Sequence, residues 1–556
     1  MKEYFRKNEN RIIWLVTMIT LLIACSPLIT RYCINGHDID YHLLRIESLK
    51  EGILMGKPFL KINVLFFGGA GYASSLFYPD FLLYIPALLR VMGVSIGASY
   101  HIFIFLCFLL SYLSMYYSVS RMMGSKYAGL ISAVIMSLCQ YHLDDIYVRS
   151  AVGEYTAFIF LPLLFYGIYN LLYEDMDKPW LLGAGFGGVL LCHTTSFVMC
   201  LLFAFVACIL KIKVFKNRRV FLRLLATALI TAGISAFYWL PVMEQLLSAS
   251  FYVSTPWIEP HTEAVRFVKV FYNKFPSLGI IPVILCVPRI LIKKADGNKK
   301  LLEFADYLMI AGFLFTFLAT DLFPWQRLER FLSFIQFPWR FFIMSSVLFS
   351  MAAGIILYVI SRRFARDSHD IPMESGVCVI VLIMCAIAAY ANLSQNDQGY
   401  YDYSDDYYDY KPYTANVIGG EWLPDTVLSK ETLVSESERL TAADGSLIDF
   451  KRVKNTIEAE IDRDSDFIDI PFIYYKGYEA FLEEGGKLTK LSISNEGNNG
   501  FIRAKLEPGM RGKLTVRYAG TTAQLISKLL TLISMLIFII YLILSYRNKK
   551  GLRGDK

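Results

Sequence analysis

An ionisable cluster follows the first hydrophobic segment of this chain, between Gly36 and Arg45. It contains His37, Asp38, Asp40 and His42. Ionisable side chains are costly beside a bilayer, so a cluster in this position indicates a functional site. A carboxylate here predicts a general base that takes the proton of an acceptor hydroxyl. The alternative is an ordinary loop with Asp38 or Asp40 as a helix N-cap, but a cap explains one Asp and neither histidine.

A second polar cluster contains Asp144, Asp145, Arg149 and Glu154. Carboxylate oxygens suit a divalent cation, Mg²⁺ or Mn²⁺, and Asp144 and Asp145 are its candidate ligands. Arg149 has the geometry to bind a phosphate through two parallel hydrogen bonds. The alternative is an exposed loop with solvated charges. We expect the residues of this cluster to complete one shared site with Asp38.

Three more polar residues are candidates for substrate binding. His193 lies at the end of an apolar segment, where a hydrogen-bonded interfacial histidine is the alternative. Gln336 and Arg340 flank Trp339 at the start of another apolar segment. Arg340 is suited to neutralise a lipid phosphate, whereas Trp339 alone would predict only a membrane-interface anchor.

The composition indicates the class of protein that carries these residues. The chain has 556 residues, of which 55% are hydrophobic and 19% are charged, below the roughly 25% charged residues of soluble domains. The ten cysteines lie almost all in apolar segments, which excludes a disulfide framework and a zinc site. No P-loop motif is present, and the basic clusters flank apolar segments, so ATPase activity and nucleic-acid binding are not supported.

The basic clusters between apolar segments predict the topology. The positive-inside rule places them, and both termini, in the cytoplasm of a multi-pass plasma-membrane protein. About 12 spans satisfy every cluster. The spans are 12–30, 96–120, 127–142, 154–173, 180–194, 195–211, 220–243, 276–292, 302–320, 340–360, 375–393 and 523–546. This arrangement puts the candidate site residues on the extracytoplasmic face.

Two further segments are predicted to be helices at the outer membrane interface. A full span at 77–92 would move every later basic cluster outside, so an interfacial helix is preferred there. At 39–54 the apolar residues alternate with charged residues in the pattern of an amphipathic helix.

The fold class is therefore a polytopic α-helical membrane protein with a C-terminal β-rich domain. Residues 1–393 form the transmembrane domain. Residues 394–521 are polar, and their period-two alternation with turn residues predicts an extracytoplasmic β-sandwich-like domain. We interpret it as an accessory or acceptor-binding module. Residues 522–556 form a last transmembrane helix and a basic cytoplasmic tail.

Short motifs along nearly the whole chain resemble the GT-C superfamily of membrane glycosyltransferases. More narrowly, the chain is similar to the bacterial YfhO-like proteins and to the membrane family labelled "6-pyruvoyl-tetrahydropterin synthase-related". The motifs are His37-Asp38 with His42 and Arg45, Gly71-Tyr72-Ala73, Phe77-Tyr78-Pro79-Asp80, Tyr147-Val148-Arg149, Gly153-Glu154, Trp239-Leu240-Pro241 with Glu244, Gln336-Phe337-Pro338-Trp339-Arg340 and Glu421-Trp422-Leu423-Pro424. Pterin chemistry is not expected, because the three-histidine zinc pattern is absent.

The resemblance implies a GT-C-like fold and a polyprenyl-phosphate-linked sugar donor. It also implies an essential Asp in the first outer loop, which corresponds to Asp38. An acidic residue in the second outer loop is also common in the superfamily, and Asp144, Asp145 or Glu154 would fill that place.

The sequence thus predicts a glycosyltransferase that moves a sugar to an extracytoplasmic acceptor: a cell-envelope polymer, a glycolipid or a protein. Asp38 would be the base, and Arg149 and Arg340 would hold the donor phosphate. His37, Asp40 and His42 would support Asp38. The alternative is a non-enzymatic transporter or assembly factor for lipid-linked sugars.

Overall fold

The structure, a computed structural model, describes residues 2–254, 258–293, 299–364, 371–403, 420–453 and 455–554. The helices are α1 Lys2–Ala24, α2 Ile39–Leu54, α3 Ser74–Phe77, α4 Tyr84–Val91, α5 Ile96–Met123, α6 Lys126–Leu138, α7 Gln140–Tyr147, α8 Val152–Ala157, α9 Leu161–Tyr173, α10 Pro179–Leu190, α11 Thr194–Leu210, α12 Arg218–Ile234, α13 Ala236–Ser248, α14 Ile281–Ile284, α15 Lys299–Leu318, α16 Trp325–Leu332, α17 Phe342–Phe364, α18 Ile371–Ser394, α19 Leu433–Glu436 and α20 Thr522–Gly554. The strands are β1 Cys33–Ile34, β2 Tyr400–Tyr401, β3 Leu440–Ala442, β4 Leu447–Ile448, β5 Phe450–Val453, β6 Thr456–Ile461, β7 Phe467–Ile473, β8 Tyr478–Glu484, β9 Lys487–Leu491, β10 Ile493–Ser494, β11 Phe501–Lys505 and β12 Gly512–Tyr518.

Within the described ranges, 5 helical segments are long and apolar enough to cross a membrane. They are Ile96–Met123, Lys299–Leu318, Pro338–Arg363, Met373–Ser394 and Thr522–Leu544. Helices α12 and α13 meet at an angle of 71°. If this bent pair is counted as one span, the number of candidate spans becomes 6. Five shorter apolar helices, between 10 and 17 residues long, accompany them. These helices indicate a membrane protein, while the number of about 12 spans and the orientation of the termini stay predictions.

The chain contacts divide the protein into two compact units. The first unit contains Met1–Ile39, Gly97–Thr231 and Ile258–Tyr403. The second unit contains Asp40–Ile96, Ala232–Trp257 and Ser404–Lys556. Both units are assembled from segments that are far apart in sequence. The boundaries at residues 393 and 521 stay predictions.

Helix α17 lies at the centre of the first unit, where it packs against α15 and α6. Small residues allow this close packing. A Cβ added to Gly354 of α17 would lie 2.8 Å from the carbonyl oxygen of Ala128 in α6. The polypeptide that leaves α6 continues directly into α7, and the 3₁₀ turn Pro338–Phe341 leads into α17. This packing holds α7 and the start of α17 in one unit.

The second unit contains the predicted β-rich region. Ten strands form two five-stranded antiparallel sheets, in the orders β10-β11-β7-β3-β4 and β5-β6-β12-β8-β9. Leu514 of β12 pairs with Leu482 of β8, and both are buried in a hydrophobic cluster that also contains Ile470 of the other sheet. These two sheets, which share one hydrophobic cluster, confirm the predicted C-terminal β-sheet region. Residues 404–419 of the predicted domain lie outside the described residues.

Helix α2 coincides with the amphipathic helix predicted at 39–54. The apolar residues Leu43 and Leu44 are buried, and so are the charged residues Arg45 and Glu47. Arg45 forms an ion pair with Asp80. Residues of the second unit therefore pair with charged side chains of α2 that the sequence pattern had placed on a polar surface. The position of α2 at a membrane interface stays a prediction.

The predicted helix at 77–92 is interrupted. Helix α3 ends at Phe77 and α4 begins at Tyr84. Tyr78 has extended backbone angles, φ −119° and ψ 125°, because the following Pro79 disfavours helical angles in the residue before it. The sequence pattern therefore predicted the later part of this helix but not its break.

Candidate functional site

The two loops that carry Asp38 and Arg149 are joined by main-chain hydrogen bonds. The N–H of Asp38 donates to the carbonyl of Arg149 at 2.9 Å, and the N–H of His37 donates to the carbonyl of Val148 at 3.0 Å. These bonds fix the loop after the first helix against the residues that follow α7. The sequence had predicted a shared site formed by these two loops.

A close contact between Gly36 and Ser150 permits this pairing. A Cβ at Gly36 would lie 2.3 Å from Oγ and 3.1 Å from the backbone nitrogen of Ser150. Ser150 itself adopts a positive φ of 54°, which is uncommon for a residue other than glycine. Glycine at position 36 thus lets the chain approach Ser150 and places the following residues next to Arg149.

Four side chains form a carboxylate–arginine cluster: Asp38, Arg149, Glu154 and Arg340. Arg149 Nη1 donates to Glu154 Oε1 at 2.7 Å, and its Nη2 lies 3.5 Å from Asp38 Oδ2. Arg340 Nε donates to the same Glu154 oxygen at 3.2 Å. Tyr141 donates its hydroxyl to Glu154 Oε2 at 3.0 Å. The buried carboxylate of Glu154 thus holds two arginines in place.

The carboxylates of this cluster differ in exposure. The Glu154 side chain is 2% exposed, whereas that of Asp38 is 39% exposed. Glu154 is enclosed and contacts both Arg149 and Arg340, and Asp38 is the carboxylate of the cluster that a substrate can reach.

Arg340 retains hydrogen-bonding capacity. Its Nη1 donates to the Ile335 carbonyl at 3.0 Å and to Gln336 Oε1 at 3.2 Å, while its Nη2 has no hydrogen-bond partner among the described residues. The Phe337 ring centroid lies 4.8 Å from the Arg340 guanidinium and 5.7 Å from that of Arg149. The aromatic face and the Glu154 carboxylate orient the two guanidinium groups.

Asp144 and Asp145 are adjacent on α7 but have different surroundings. Asp144 accepts hydrogen bonds from the side-chain amides of Asn392 at 2.8 Å and Gln140 at 3.4 Å. Neither carboxylate oxygen of the fully buried Asp145 has a hydrogen-bond partner among the residues that the structure describes. Burial raises the pKa of Asp144 to about 7. Burial and the charge of Glu154 raise the pKa of Asp145 well above its usual range.

This pair of aspartates does not match the ligand set of a metal site. Within the part of the chain that the structure describes, no group of three or more His, Cys, Asp and Glu side chains could hold a metal ion. Both oxygens of Asp144 accept hydrogen bonds from side-chain amides, so Asp144 is already engaged without a metal ion. The predicted Mg²⁺ or Mn²⁺ site therefore supplies no step in the chemistry below.

The predicted histidines occupy separate positions. His193 is buried and is the N-cap of α11, where its Nδ1 accepts a hydrogen bond from the backbone N–H of Ser196 at 3.4 Å. This capping contact gives His193 a structural role, and its part in substrate binding stays a prediction. His37 is exposed, and its ring lies edge-on to Phe275 at 6.0 Å between centroids. Partial desolvation of the ring by neighbouring residues and the nearby Arg149 charge lower the pKa of His37.

Two predicted site residues belong to the second unit. Asp40 lies in the first turn of α2, and its Oδ1 is buried with no hydrogen-bond partner in the described part of the chain. His42 is buried, and its Nδ1 lies 3.2 Å from Arg45 Nη1. Their supporting role for Asp38 stays a prediction.

Sequence reasoning missed several residues that the structure adds to the site. Gln140 precedes Asp144 by four positions. Residues at this spacing are neighbours on a helix, so a helix predicted at this point would have indicated the contact between them. Tyr141 adjoins predicted residues but has no distinguishing pattern, and Phe337 was part of the motif Gln336-Phe337-Pro338-Trp339-Arg340 without a role of its own. Asn392 lies 248 residues after Asp144, and no local signal connects them.

Comparison with known proteins gives a distant relative and a weak structural likeness. No family model matches the chain. An "Uncharacterized protein" of Lactococcus lactis subsp. cremoris (strain MG1363) is 22% identical over 613 residues, covering 100% of this chain and 98% of the relative. Archaeal oligosaccharyltransferase AglB from Archaeoglobus fulgidus, solved in complex with an inhibitory peptide and a dolichol-phosphate, matches 70% of this chain at 12% identity with a TM-score of 0.38.

The match covers 56% of the AglB chain, and its score is too low to assign a fold or an activity. The resemblance to the YfhO-like proteins stays a prediction.

Proposed function

We propose that this protein is a glycosyltransferase that moves a sugar from a polyprenyl-phosphate-linked donor to an acceptor on the extracytoplasmic side of the membrane. The observation that carries the proposal is the pairing of the half-exposed Asp38 with Arg149. A reachable carboxylate and a phosphate-binding guanidinium then lie side by side. The motif resemblance to GT-C enzymes supports the same assignment.

The cluster has the charge that this reaction requires. Two carboxylates, Asp38 and Glu154, balance two guanidinium groups, Arg149 and Arg340, so the resting cluster is neutral. When Asp38 accepts a proton, the cluster gains one positive charge. That charge arises while the departing phosphate becomes more negative, so the cluster stabilises the transition state more than the ground state.

The proposed reaction is a single displacement. Asp38 takes the proton of the acceptor hydroxyl, and the acceptor oxygen forms a bond to the anomeric carbon of the sugar. The bond between that carbon and the phosphate oxygen breaks, and its electron pair leaves with the polyprenyl phosphate. Arg149 and the free Nη2 of Arg340 bind the departing phosphate, and the anomeric configuration inverts.

The remaining parts of the proposal concern partners and topology. The acceptor is a cell-envelope polymer, a glycolipid or a protein, and the β-rich region of the second unit is an acceptor-binding or accessory module. Both termini lie in the cytoplasm. The basic clusters between the apolar helices support this orientation.

Reconstitution of the full chain in liposomes with radiolabelled polyprenyl-phosphate sugars tests the proposal. Wild-type protein should transfer label to an added envelope acceptor. Asp38→Asn should retain donor binding and lose about 10²–10⁴-fold in transfer rate, the usual contribution of a general base. Glu259→Gln removes a carboxylate from a side chain that is 68% exposed, and it should transfer at the wild-type rate.

Two outcomes would overturn the proposal. Transfer that persists in Asp38→Asn would remove Asp38 from the chemistry. Donor binding by the wild type without transfer to any acceptor in the panel, combined with donor translocation across the liposome, would favour the transporter.

A further inference from the structure

Two segments of the first unit that lie outside the candidate spans are held side by side. One is the stretch around Val265, and the other connects α15 with the candidate span Pro338–Arg363. The N–H of Val265 donates to the Ala319 carbonyl at 3.0 Å, and the N–H of Asp321 donates to the Val265 carbonyl at 2.9 Å. Asp321 Oδ1 also accepts from the N–H of Phe267 at 2.9 Å. The two segments therefore form one continuous surface.

A side-chain contact extends this link to α16. The N–H of His261 donates to Glu329 Oε1 at 3.0 Å, and the ring Nδ1 of His261 contacts the same oxygen. Trp325 at the start of α16 is buried, so one side of this helix packs on the protein. Residues three and four positions apart share a face of a helix. The exposed residues with this spacing are Arg327, Arg330 and Phe331.

The joined segments carry exposed cations next to exposed apolar side chains, and we call this the basic apolar surface. It consists of Arg266, Phe267, Val268, Lys269, Arg327, Arg330 and Phe331. Val268 is 69% exposed and Phe331 is 73% exposed. Among the residues that the structure describes, the side chains of the four cations form no ion pair and no hydrogen bond. Their charges are therefore available to a partner.

The acidic residues of the same segments are used elsewhere. Asp321 and Glu329 accept the hydrogen bonds given above. Glu259 lies 3.8 Å from His261, and Glu263 is half-buried. The surface thus presents positive charge beside apolar side chains, which is complementary to a partner with anionic groups above an apolar layer.

The connectivity of the chain places this surface beside the membrane. Residues 319–337 join Lys299–Leu318 to Pro338–Arg363, and both of these segments are long and apolar enough to cross a membrane. A short segment between two consecutive spans lies at a bilayer surface. In the predicted topology this surface is extracytoplasmic, where the positive-inside rule gives no reason for exposed cations.

We propose that the basic apolar surface docks on anionic lipid headgroups of the adjacent leaflet. Its four cations contact the lipid phosphates, and Phe267 and Phe331 insert at the boundary between headgroups and acyl chains. Surfaces that combine Lys and Arg with Phe bind membranes in this way. Each cation near an anionic membrane strengthens binding by about fivefold. The inference goes beyond the proposed function and does not depend on it.

Fluorine NMR on the full chain in nanodiscs tests this docking. Trifluoromethylphenylalanine replaces Phe331, and a lipid with a nitroxide near its headgroup broadens the signal of a fluorine at the interface. One set of nanodiscs contains phosphatidylcholine alone, and the other also contains phosphatidylglycerol. The broadening should be stronger with phosphatidylglycerol, and added salt should reduce the difference. Arg330→Gln should lower the ratio of docked to undocked protein by about fivefold.

Neutralising all four cations should abolish the difference between the two lipid compositions. The variant combines Arg266→Gln, Lys269→Gln, Arg327→Gln and Arg330→Gln, all at exposed positions. A matched control removes the same number of exposed cations from the turn before α12 and from its start. It combines Lys213→Gln, Lys216→Gln, Arg218→Gln and Arg219→Gln. This control should keep the wild-type difference.

Three results would overturn the proposal. The first is equal broadening of the wild-type signal in both lipid compositions. The second is a difference that persists after the four cations of the basic apolar surface are neutralised. The third is a response of the fluorine signal to soluble poly-glutamate but not to phosphatidylglycerol, which would assign the surface to a soluble acidic partner.

Discussion

Arg149 Nη1 lies 2.7 Å from Glu154 Oε1, in a contact where neither side chain is more than 7% exposed. The two residues flank the start of α8, so the pair fixes the loop that also contacts Asp38. Because Glu154 also accepts from Arg340, one buried carboxylate organises both guanidinium groups of the cluster. Loss of either partner should leave a buried charge poorly compensated.

Arg149→Met is therefore expected to lower the free energy of unfolding by about 3–5 kcal/mol, the usual cost of breaking a buried ion pair. Glu154→Gln should be destabilising as well. The double variant should lose less than the sum of the two single losses, because the pair is removed together. Denaturant unfolding in detergent measures all three values, and strictly additive losses would contradict the coupling.

Gly36→Ala should disturb the pairing of the two site loops. Its methyl group would lie 2.3 Å from Ser150 Oγ, so the loop that carries Asp38 must shift away from Arg149. We expect a lower melting temperature and reduced donor binding. Ser150→Gly removes the hydroxyl and suits the positive φ at that position, so the double variant should recover part of the loss. A double variant no better than Gly36→Ala would show that another contact limits this position.

The stability of the protein should depend on the ionisation of Asp144. Burial raises the pKa of Asp144 to about 7, above the value of about 3.9 in an unfolded chain. The folded state thus holds the proton more tightly, and stability from this group falls as the pH rises from about 4 to 7. Asp144→Asn removes this titration.

Thermal unfolding between pH 5 and pH 8 checks this sign. The melting temperature of the wild type should fall more steeply with pH than that of Asp144→Asn. Asp145 shifts in the same direction, so the difference between the two proteins is the measurement that isolates Asp144. Equal pH slopes would contradict the prediction.

The buried ion pair of the second unit should contribute more to the free energy of unfolding than an exposed ion pair does. Arg45 lies 2.5 Å from Asp80 with side chains 1% and 7% exposed, and it also donates to the Pro79 carbonyl at 2.9 Å. Arg45→Met should cost about 3–5 kcal/mol of unfolding free energy, because Asp80 is left buried and unpaired. Lys490→Met breaks the contact with Glu479, in which the lysine is 61% exposed.

Lys490→Met should lower the free energy of unfolding by at most about 1 kcal/mol, because the pair that it breaks is exposed to solvent. The two unfolding free energies, measured under identical conditions, give the comparison. Similar losses for Arg45→Met and Lys490→Met would mean that burial does not set the strength of these pairs.

The sequence alone determined the apolar helices and the C-terminal β-sheet region, because hydrophobic length and period-two alternation are local properties. It also predicted that the loops of Asp38 and Arg149 share a site, from the residue types that each loop carries.

Only the tertiary structure distinguished Asp144 from Asp145, since Asp144 accepts a hydrogen bond from Asn392 on a distant helix while the carboxylate of Asp145 accepts none from the described residues. It likewise buried Arg45 with Asp80 and gave His193 a capping contact. The charge state and the accessibility of a side chain depend on neighbours brought from elsewhere in the chain, and on the solvent that they exclude. Sequence patterning identifies the ionisable residues, but packing decides which of them a substrate can reach.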